Sequence, residues 1–196
     1  PDGAHRGASI LIVGGAGGVG SIAIQLAKRI AGLHVIATAS RPESIAWVQR
    51  LGADAVINHH EPLDQGLAEG TSSKHVDYIL CLNSTEHHWE AMCHAIAPQG
   101  TIASIVETSE PVDLNLLKSK SARFVWEFMF TRSMFETEDL GVQGAILKRV
   151  AHLVDQGVLD TTLTKTLTPI EASTLRRAHR MVEGGRTVGK IVVSGW

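Results

Sequence analysis

Apolar residues along this chain recur in two alternating periods. Residues 10–13 (Ile, Leu, Ile, Val) form an uninterrupted apolar run that predicts one buried strand. A glycine-rich turn follows, and then Val19, Ile22, Ala23, Leu26, Ala27 and Ile30 return at helical spacing. The same switch repeats downstream. Residues 34–38 predict a second strand, and Pro42 opens a helix whose Ile45, Ala46, Val48 and Leu51 are apolar before Gly52 closes it. A short strand at 55–57 runs into Asn58 and His59; residues 60–75 are polar, with one helical turn near 63–68. Residues 76–82 predict a fourth strand. A helix with Trp89, Met92, Cys93 and Ile96 on its core face comes next, and the turn Pro98-Gln-Gly100 leads into a fifth strand at 101–106. Strands alternating with helices over short connections argue for an α/β fold, a doubly wound parallel sheet.

Beyond residue 106 the alternation breaks down. Residues 111–122 read as an irregular connection with a helical turn near 114–118. Residues 123–130 predict an extended segment with Phe124, Trp126, Phe128 and Phe130 on one face, a sheet edge to be covered by more chain or by a second subunit. A long helix is expected at 138–156, with Leu140, Ile146, Leu147, Val150, Leu153 and Val154 inward and Gly157 at its end. After an extended stretch at 161–168, Thr168 as cap, Pro169 at the first helical position and Glu171 three residues past the cap predict a capping box. That helix should run to about residue 183, and residues 189–193 predict a last strand.

The chemistry concentrates at Gly14-Gly-Ala-Gly-Gly-Val-Gly20, between the first strand and its helix. Gly15-x-Gly17-x-x-Gly20 permits a sharp turn, close approach of backbone N–H groups to a pyrophosphate, and tight packing of helix on strand. The helix N-terminus adds its positive end. A nucleotide-triphosphate loop would require Lys-Ser/Thr after the last glycine, and here Ser21-Ile22 follows. An NAD site or a methyltransferase would place a carboxylate at the end of the second strand, for the ribose hydroxyls. Here that strand ends in Ala39-Ser40-Arg41. A hydroxyl and a guanidinium suit a ribose bearing a 2′-phosphate, so NADPH is the expected cofactor. The bland alternative is an arginine solvated at the opening of the next helix. Asn83, Ser84 and Thr85, arriving at the same sheet edge, would either contact the nicotinamide ribose or cap their helix.

Bulk properties narrow the partners. The 196 residues are 44% hydrophobic and 19% charged, an ordinary globular composition. A net charge of −2 and a pI near 6.6 offer no basic surface to nucleic acid or anionic lipid, and no stretch has the length of a membrane span. The expected partner is a small-molecule substrate, without nucleic acid or membrane. The start, Pro1-Asp-Gly-Ala-His-Arg, shows no signal-peptide pattern and reads as a cut end; a cytoplasmic location is expected. Cys81 and Cys93 are expected as free buried thiols. His59-His60 and His87-His88 are adjacent pairs whose side chains diverge on a regular strand or helix, so no metal site is expected among them.

The glycine loop, Gly52-Ala-Asp-Ala-Val-Ile-Asn58, Val76-Asp-Tyr78, and the tail Ala178-His179 with Gly189-Lys-Ile-Val-Val193 together resemble the medium-chain dehydrogenase/reductase superfamily. The similarity is to its NADPH:quinone oxidoreductase and zinc-type alcohol dehydrogenase-like branch, in order over nearly the whole chain. The resemblance implies a Rossmann-type dinucleotide-binding domain at 1–156. Residues 157–196 would be a segment of an incomplete second domain, returning to a catalytic domain upstream. It implies pyrophosphate amides at Gly17, Gly18 and Val19 beside Gly15, and a 2′-phosphate site at Ser40 and Arg41. A position near the cofactor falls to His59, where quinone reductases often carry tyrosine. Asn83 and Ser84 match the loop after the fourth strand, and Ile105 lies on the strand flanking the nicotinamide. Zinc, where the family has it, is held mainly by upstream residues, and the lack of cysteine just before the loop disfavours that branch. The implied activity is NADPH-dependent hydride transfer to a quinone, enone or related carbonyl, with no catalytic acid assigned in this chain. The rivals are a non-catalytic NADP-binding module and a structural or dimerisation fragment; a homodimer through residues 124–130 is expected. A short-chain reductase is excluded, because the only tyrosine, Tyr78, has Leu82 four residues on instead of lysine.

Overall fold

The computed structural model describes residues 5–71 and 73–196. The expectation of a cut end falls mostly on residues 1–4, outside that range. Six parallel strands form one sheet in the order β3-β2-β1-β4-β5-β6. They are β1 (Ser9–Val13), β2 (His34–Thr38), β3 (Ala55–Ile57), β4 (Val76–Cys81), β5 (Ile96–Ser104) and β6 (Arg123–Trp126). The order reverses between β1 and β4, the topological switch point where open α/β sheets bind ligands at their carboxyl ends.

The apolar runs are continuous because both faces of the sheet are covered. Leu11, Val13, Ile36 and Ile79 point into one core with Leu63 and Leu67 of α3 (Leu63–Gly70) and Trp89, Met92 and Cys93 of α4 (Thr85–Ala95). Ile12, Val35 and Ala37 point into the other, with Ile24 of α1 (Gly18–Gln25) and Trp47, Val48 and Leu51 of α2 (Pro42–Leu51). Both cysteines are buried and free. Lys120, ending the 3₁₀ turn Leu114–Lys120, donates from Nζ to the carbonyls of Cys93, His94 and Ile96. It thereby satisfies acceptors that the end of α4 would leave orphaned.

Two pieces of irregular backbone refine the expected strands. β5 begins at Ile96, pairing with Val76, and passes through a register irregularity in which Gln99 takes a φ of 63° before Thr101 resumes pairing with Tyr78. The expected turn is thus a bulge inside one strand. The aromatic strand ends at Trp126, not residue 130. Phe128 and Phe130 lie beyond it, their rings packed on each other at 5.5 Å, and α5 (Thr131–Met134) follows at once.

Past these lie α6 (Val142–Asp155), β7 (Leu163–Leu167), α7 (Ala172–Glu183) and β8 (Lys190–Val193); β7 and β8 pair parallel in a separate two-stranded sheet. α6 starts four residues later than its pattern suggested, because residues 137–141 close into turns in which Leu140 donates to the Thr137 carbonyl. The capping box at Thr168 does not form. The Thr168–Pro169 peptide is cis, the Ile170 N–H bonds the Gly195 carbonyl, and α7 begins only after the extended Glu171, whose carboxylate accepts from Ser173 Oγ. Pairing with the chain's last residues outcompetes an early helix start.

Candidate functional site

A cleft of about 670 Å³ opens over the carboxyl ends of β1, β2 and β4. Gly14 and Gly17 form its floor, Ser40, Arg41 and His59 its β2–β3 side, and Asn83 and His88 its β4 side. Gly185, Arg186 and Thr187, from the loop between α7 and β8, close the rim.

The loop is shaped by close packing. Gly14 turns with a φ of +84° and donates its N–H to Thr38 Oγ1 at 2.9 Å. A Cβ on Gly15 would lie 2.9 Å from that of Ala37, and one on Gly20 would lie 2.5 Å from the carbonyl oxygens of both Gly14 and Gly15. Gly15 and Gly20 therefore bring helix against strand. Gly17 differs: its only near neighbour is the Gly14 carbonyl at 3.5 Å, which leaves the N-cap of α1 open to a ligand. An open backbone cradle at a helix N-terminus fits a pyrophosphate.

The buried face of α1 is Gly20, Ser21, Ile24, Gln25 and the following Ala27, while Val19 is 46% exposed. The apolar periodicity pointed one step round the helix. Ser21 donates to the Gly17 carbonyl and accepts from Trp47 Nε1 at 2.8 Å. Gln25 exchanges two hydrogen bonds with the Asp160 backbone, and Arg29 donates to the Val158 carbonyl and the Asp160 carboxylate. Polar side chains are buried here because they bind the C-terminal segment, a partner no local pattern reveals.

Arg41 is the N-cap of α2, its backbone closed against Ser44, whose hydroxyl accepts from the Arg41 N–H and donates to the Arg41 carbonyl. It is not a freely solvated side chain. Its guanidinium donates to Glu43 Oε1 at 2.6 Å and to the Arg186 carbonyl at 2.8 Å, which ties the end of β2 to the C-terminal rim. Of the other sequence-nominated residues, Gly17, Ser40, His59 and Asn83 line the cleft with it, whereas Gly15, Gly18, Val19, Ser84 and Ile105 stand at the same sheet edge outside its lining. Ser84, the N-cap residue of α4 in the left-handed region at a φ of 46°, donates its hydroxyl to Asn83 Oδ1 and makes no side-chain capping bond. Thr85 instead locks this edge, sharing a hydrogen bond with Ser104 and donating to the Val106 carbonyl.

The paired histidines correct a sequence expectation. The His59 and His60 rings approach to 4.3 Å, because they sit in a turn beyond β3, and those of His87 and His88 to 4.9 Å. Burial pushes His88 down to about 4, reinforced by His87 and His59, so it is neutral near pH 7. Burial also lowers His59, with His60, Arg41 and His87 adding to the effect. His60, His88, Arg186 and Thr187 are cleft residues the sequence reading missed.

Residues 51–193 match the zinc-binding dehydrogenase family. The chain belongs to that family, within the medium-chain dehydrogenase/reductase superfamily. It is 42% identical over 190 residues to a zinc-type alcohol dehydrogenase-like protein of Staphylococcus epidermidis, covering 97% of this chain and 56% of the relative. The crystal structure of a protein from Rhizobium etli CFN 42 assigned to the zinc-dependent alcohol dehydrogenases superposes with a TM-score of 0.88 at 46% identity, over 96% of this chain and 54% of that one. A quinone oxidoreductase from Coxiella burnetii superposes with a TM-score of 0.73 at 29% identity, over 96% and 53%. The chain spans just over half the length of these relatives. The family is one of nicotinamide-dependent dehydrogenases. Among the described residues no three His, Cys, Asp or Glu side chains gather to hold an ion. Nor is any described helix long and apolar enough to cross a membrane.

Proposed function

We propose that this chain is the cofactor-binding part of an NADPH-dependent oxidoreductase that delivers hydride to a quinone, enone or related carbonyl. One observation carries the cofactor choice: β2 ends at the cleft in Ser40 and Arg41, with a guanidinium where an NAD site would place a carboxylate. The nicotinamide, when bound, supplies the hydride. The chain's own work is to hold and orient. The amides at Gly17 to Val19 receive the pyrophosphate, Ser40 and Arg41 the 2′-phosphate, and Asn83 faces the ribose side of the cleft. The family relationship and the quinone oxidoreductase neighbour support the substrate class.

Glu43 supports a second reading. Its carboxylate, outside the cleft lining, already holds the Arg41 guanidinium at 2.6 Å, and a guanidinium neutralised in this way would favour the unphosphorylated ribose of NADH. A titration followed by nicotinamide fluorescence separates the two. Arg41→Ala is expected to weaken NADPH roughly 10- to 100-fold, one charge-assisted contact, and to leave NADH nearly unchanged. Equal loss for both nucleotides, or none, removes the NADPH reading.

The assembly proposal is a homodimer through β6 and the residues following it. β6 ends the sheet with an unpaired edge, and Trp126, Phe128 and Phe130 beside it are each about half exposed. Sedimentation that stays monomeric at high concentration would eliminate it.

A further inference from the structure

A second cavity, of about 700 Å³, lies between α2 and the C-terminal segment and takes no residue from the glycine loop. Its walls come from α2, β7, α7 and the loop into β8. Arg186 and Thr187 line both cavities and form the wall between them. That wall is fixed from two sides: the Arg186 carbonyl accepts from Arg41, and Thr187 Oγ1 donates to the Met181 carbonyl at 2.9 Å. Ala46, Trp47, Met181, Val188 and Ile191 make the interior apolar. Trp47 cannot turn to add a polar group, because its indole N–H is spent on Ser21.

Four cations surround this apolar surface, each from a different element. Arg50 is near the end of α2, Lys165 is in β7, Arg180 is in α7, and Arg186 is in the loop. The Arg50 guanidinium lies over the Trp47 ring at 4.3 Å. Among the described residues, none of the four side chains has a carboxylate within ion-pairing distance. The acid in the lining, Glu43, is already paired with Arg41. In a chain of net charge −2, unpaired positive charge thus converges on one groove. A cleft lined by one sign of charge over low-dielectric walls focuses its field and concentrates the opposite ion. Arginine forks favour phosphate and carboxylate groups. An inorganic anion would satisfy the charges and leave the apolar floor in water; an uncharged ligand would do the reverse.

We propose that this groove is a second ligand site, for a small organic polyanion whose apolar body carries several anionic groups. The body rests on Met181, Val188 and Ile191, and the anionic groups reach Arg50, Lys165, Arg180 and Arg186. The site is distinct from the dinucleotide cleft, from which the Arg186–Thr187 wall divides it, and it stands independently of the cofactor reading.

The test is a fluorescence-anisotropy titration of the 196-residue chain against pyrene-1,3,6,8-tetrasulfonate, a flat apolar ring bearing four anionic groups, at low salt. Lys165→Gln and Arg180→Gln should each weaken the probe roughly 3- to 10-fold, and the double variant roughly 10- to 100-fold. Lys118→Gln removes the same charge from an exposed position outside the groove and should change binding by less than about twofold. Both groove variants should melt within about 2 °C of wild type, since neither side chain has an ion partner to lose. Should one misfold, Arg50→Gln takes its place. Inorganic triphosphate should displace the probe only at concentrations at least about tenfold higher than the probe's own, because it lacks the apolar body. Saturating NADH should leave the probe bound. The proposal falls if wild type does not bind the probe, if Lys118→Gln costs as much as the groove variants, if triphosphate competes as an equal, or if NADH displaces the probe. If NADH does not bind at all, the cofactor reading fails alone, and the variant profile still decides the groove.

Discussion

Strand β1 and helix α6 are both rich in aliphatic residues, yet Leu11, Ile12 and Val13 are at most 1% exposed while Ile146 and Leu147 are 51% and 63% exposed. The contrast extends to the regions they represent. Between Ser9 and Trp126, helices pack on both faces of the sheet and alternate residues of β1 to β4 enter two separate cores. Beyond Trp126 the only buried residues are Leu159, Leu167, Thr174 and Gly189. What holds the second region is largely polar and local to the first: Gln25 and Arg29 grip residues 158–160, the Ala16 carbonyl accepts from the Gly189 N–H, and the Arg41 guanidinium donates to the Arg186 carbonyl. Hydrophobic burial thus specifies the sheet, whereas a few directed hydrogen bonds place the C-terminal segment, and they place it at the glycine loop. The region that contributes least to the core completes the rim of the cleft.

The sharpest way to break this comparison is to cut equivalent apolar mass from each side. Met92→Ala removes a fully buried side chain and should cost about 2–5 kcal/mol in urea denaturation, whereas Leu147→Ala should stay within about 0.5 kcal/mol. Comparable losses would mean that α6 is covered in solution. Glycines sharpen it next. Gly20→Ala forces a Cβ against two backbone carbonyls and should cost about 1–3 kcal/mol together with nucleotide affinity. Gly144→Ala, in open space within α6, should gain about 0.5–1 kcal/mol by helix propensity alone.

A further effect should appear with pH. An unfolded histidine titrates near 6.5, and burial holds His88 near 4, so between those values the unfolded chain takes up a proton that the folded chain refuses. Stability is full above about pH 6.5 and falls as the pH drops toward 4, by roughly 3 kcal/mol at the lower end. His88→Gln should flatten that slope in denaturation curves taken across the window; an unchanged slope would assign it to other groups.

Much of the fold was legible because its signals are local. The run from Ile10 to Val13, the Pro42 start and Gly52 stop of α2, and the short strand at Ala55 each follow from periodicity and backbone preference, and each is where the pattern placed it. Part of the cleft was legible for the same reason: a glycine loop after a strand, and Ser40-Arg41 at the next strand's end. The buried face of α1 was not. Ser21 and Gln25 read as solvent-facing residues until the Asp160 backbone and Trp47 arrive as partners. Nor was the capping box at Thr168, where pairing between Ile170 and Gly195 overrides a good local start signal.

By itself, then, the sequence determined the alternation of strand and helix, the phosphate-type turn and the charge at the end of β2, because each depends on residues a few positions apart. Only the tertiary structure decided that residues 185–190 close over that turn, that Arg41 is shared between Glu43 and the Arg186 carbonyl, and that Lys190 lies on Gly18. These contacts join positions more than a hundred residues apart or depend on side-chain direction, and no local period records either.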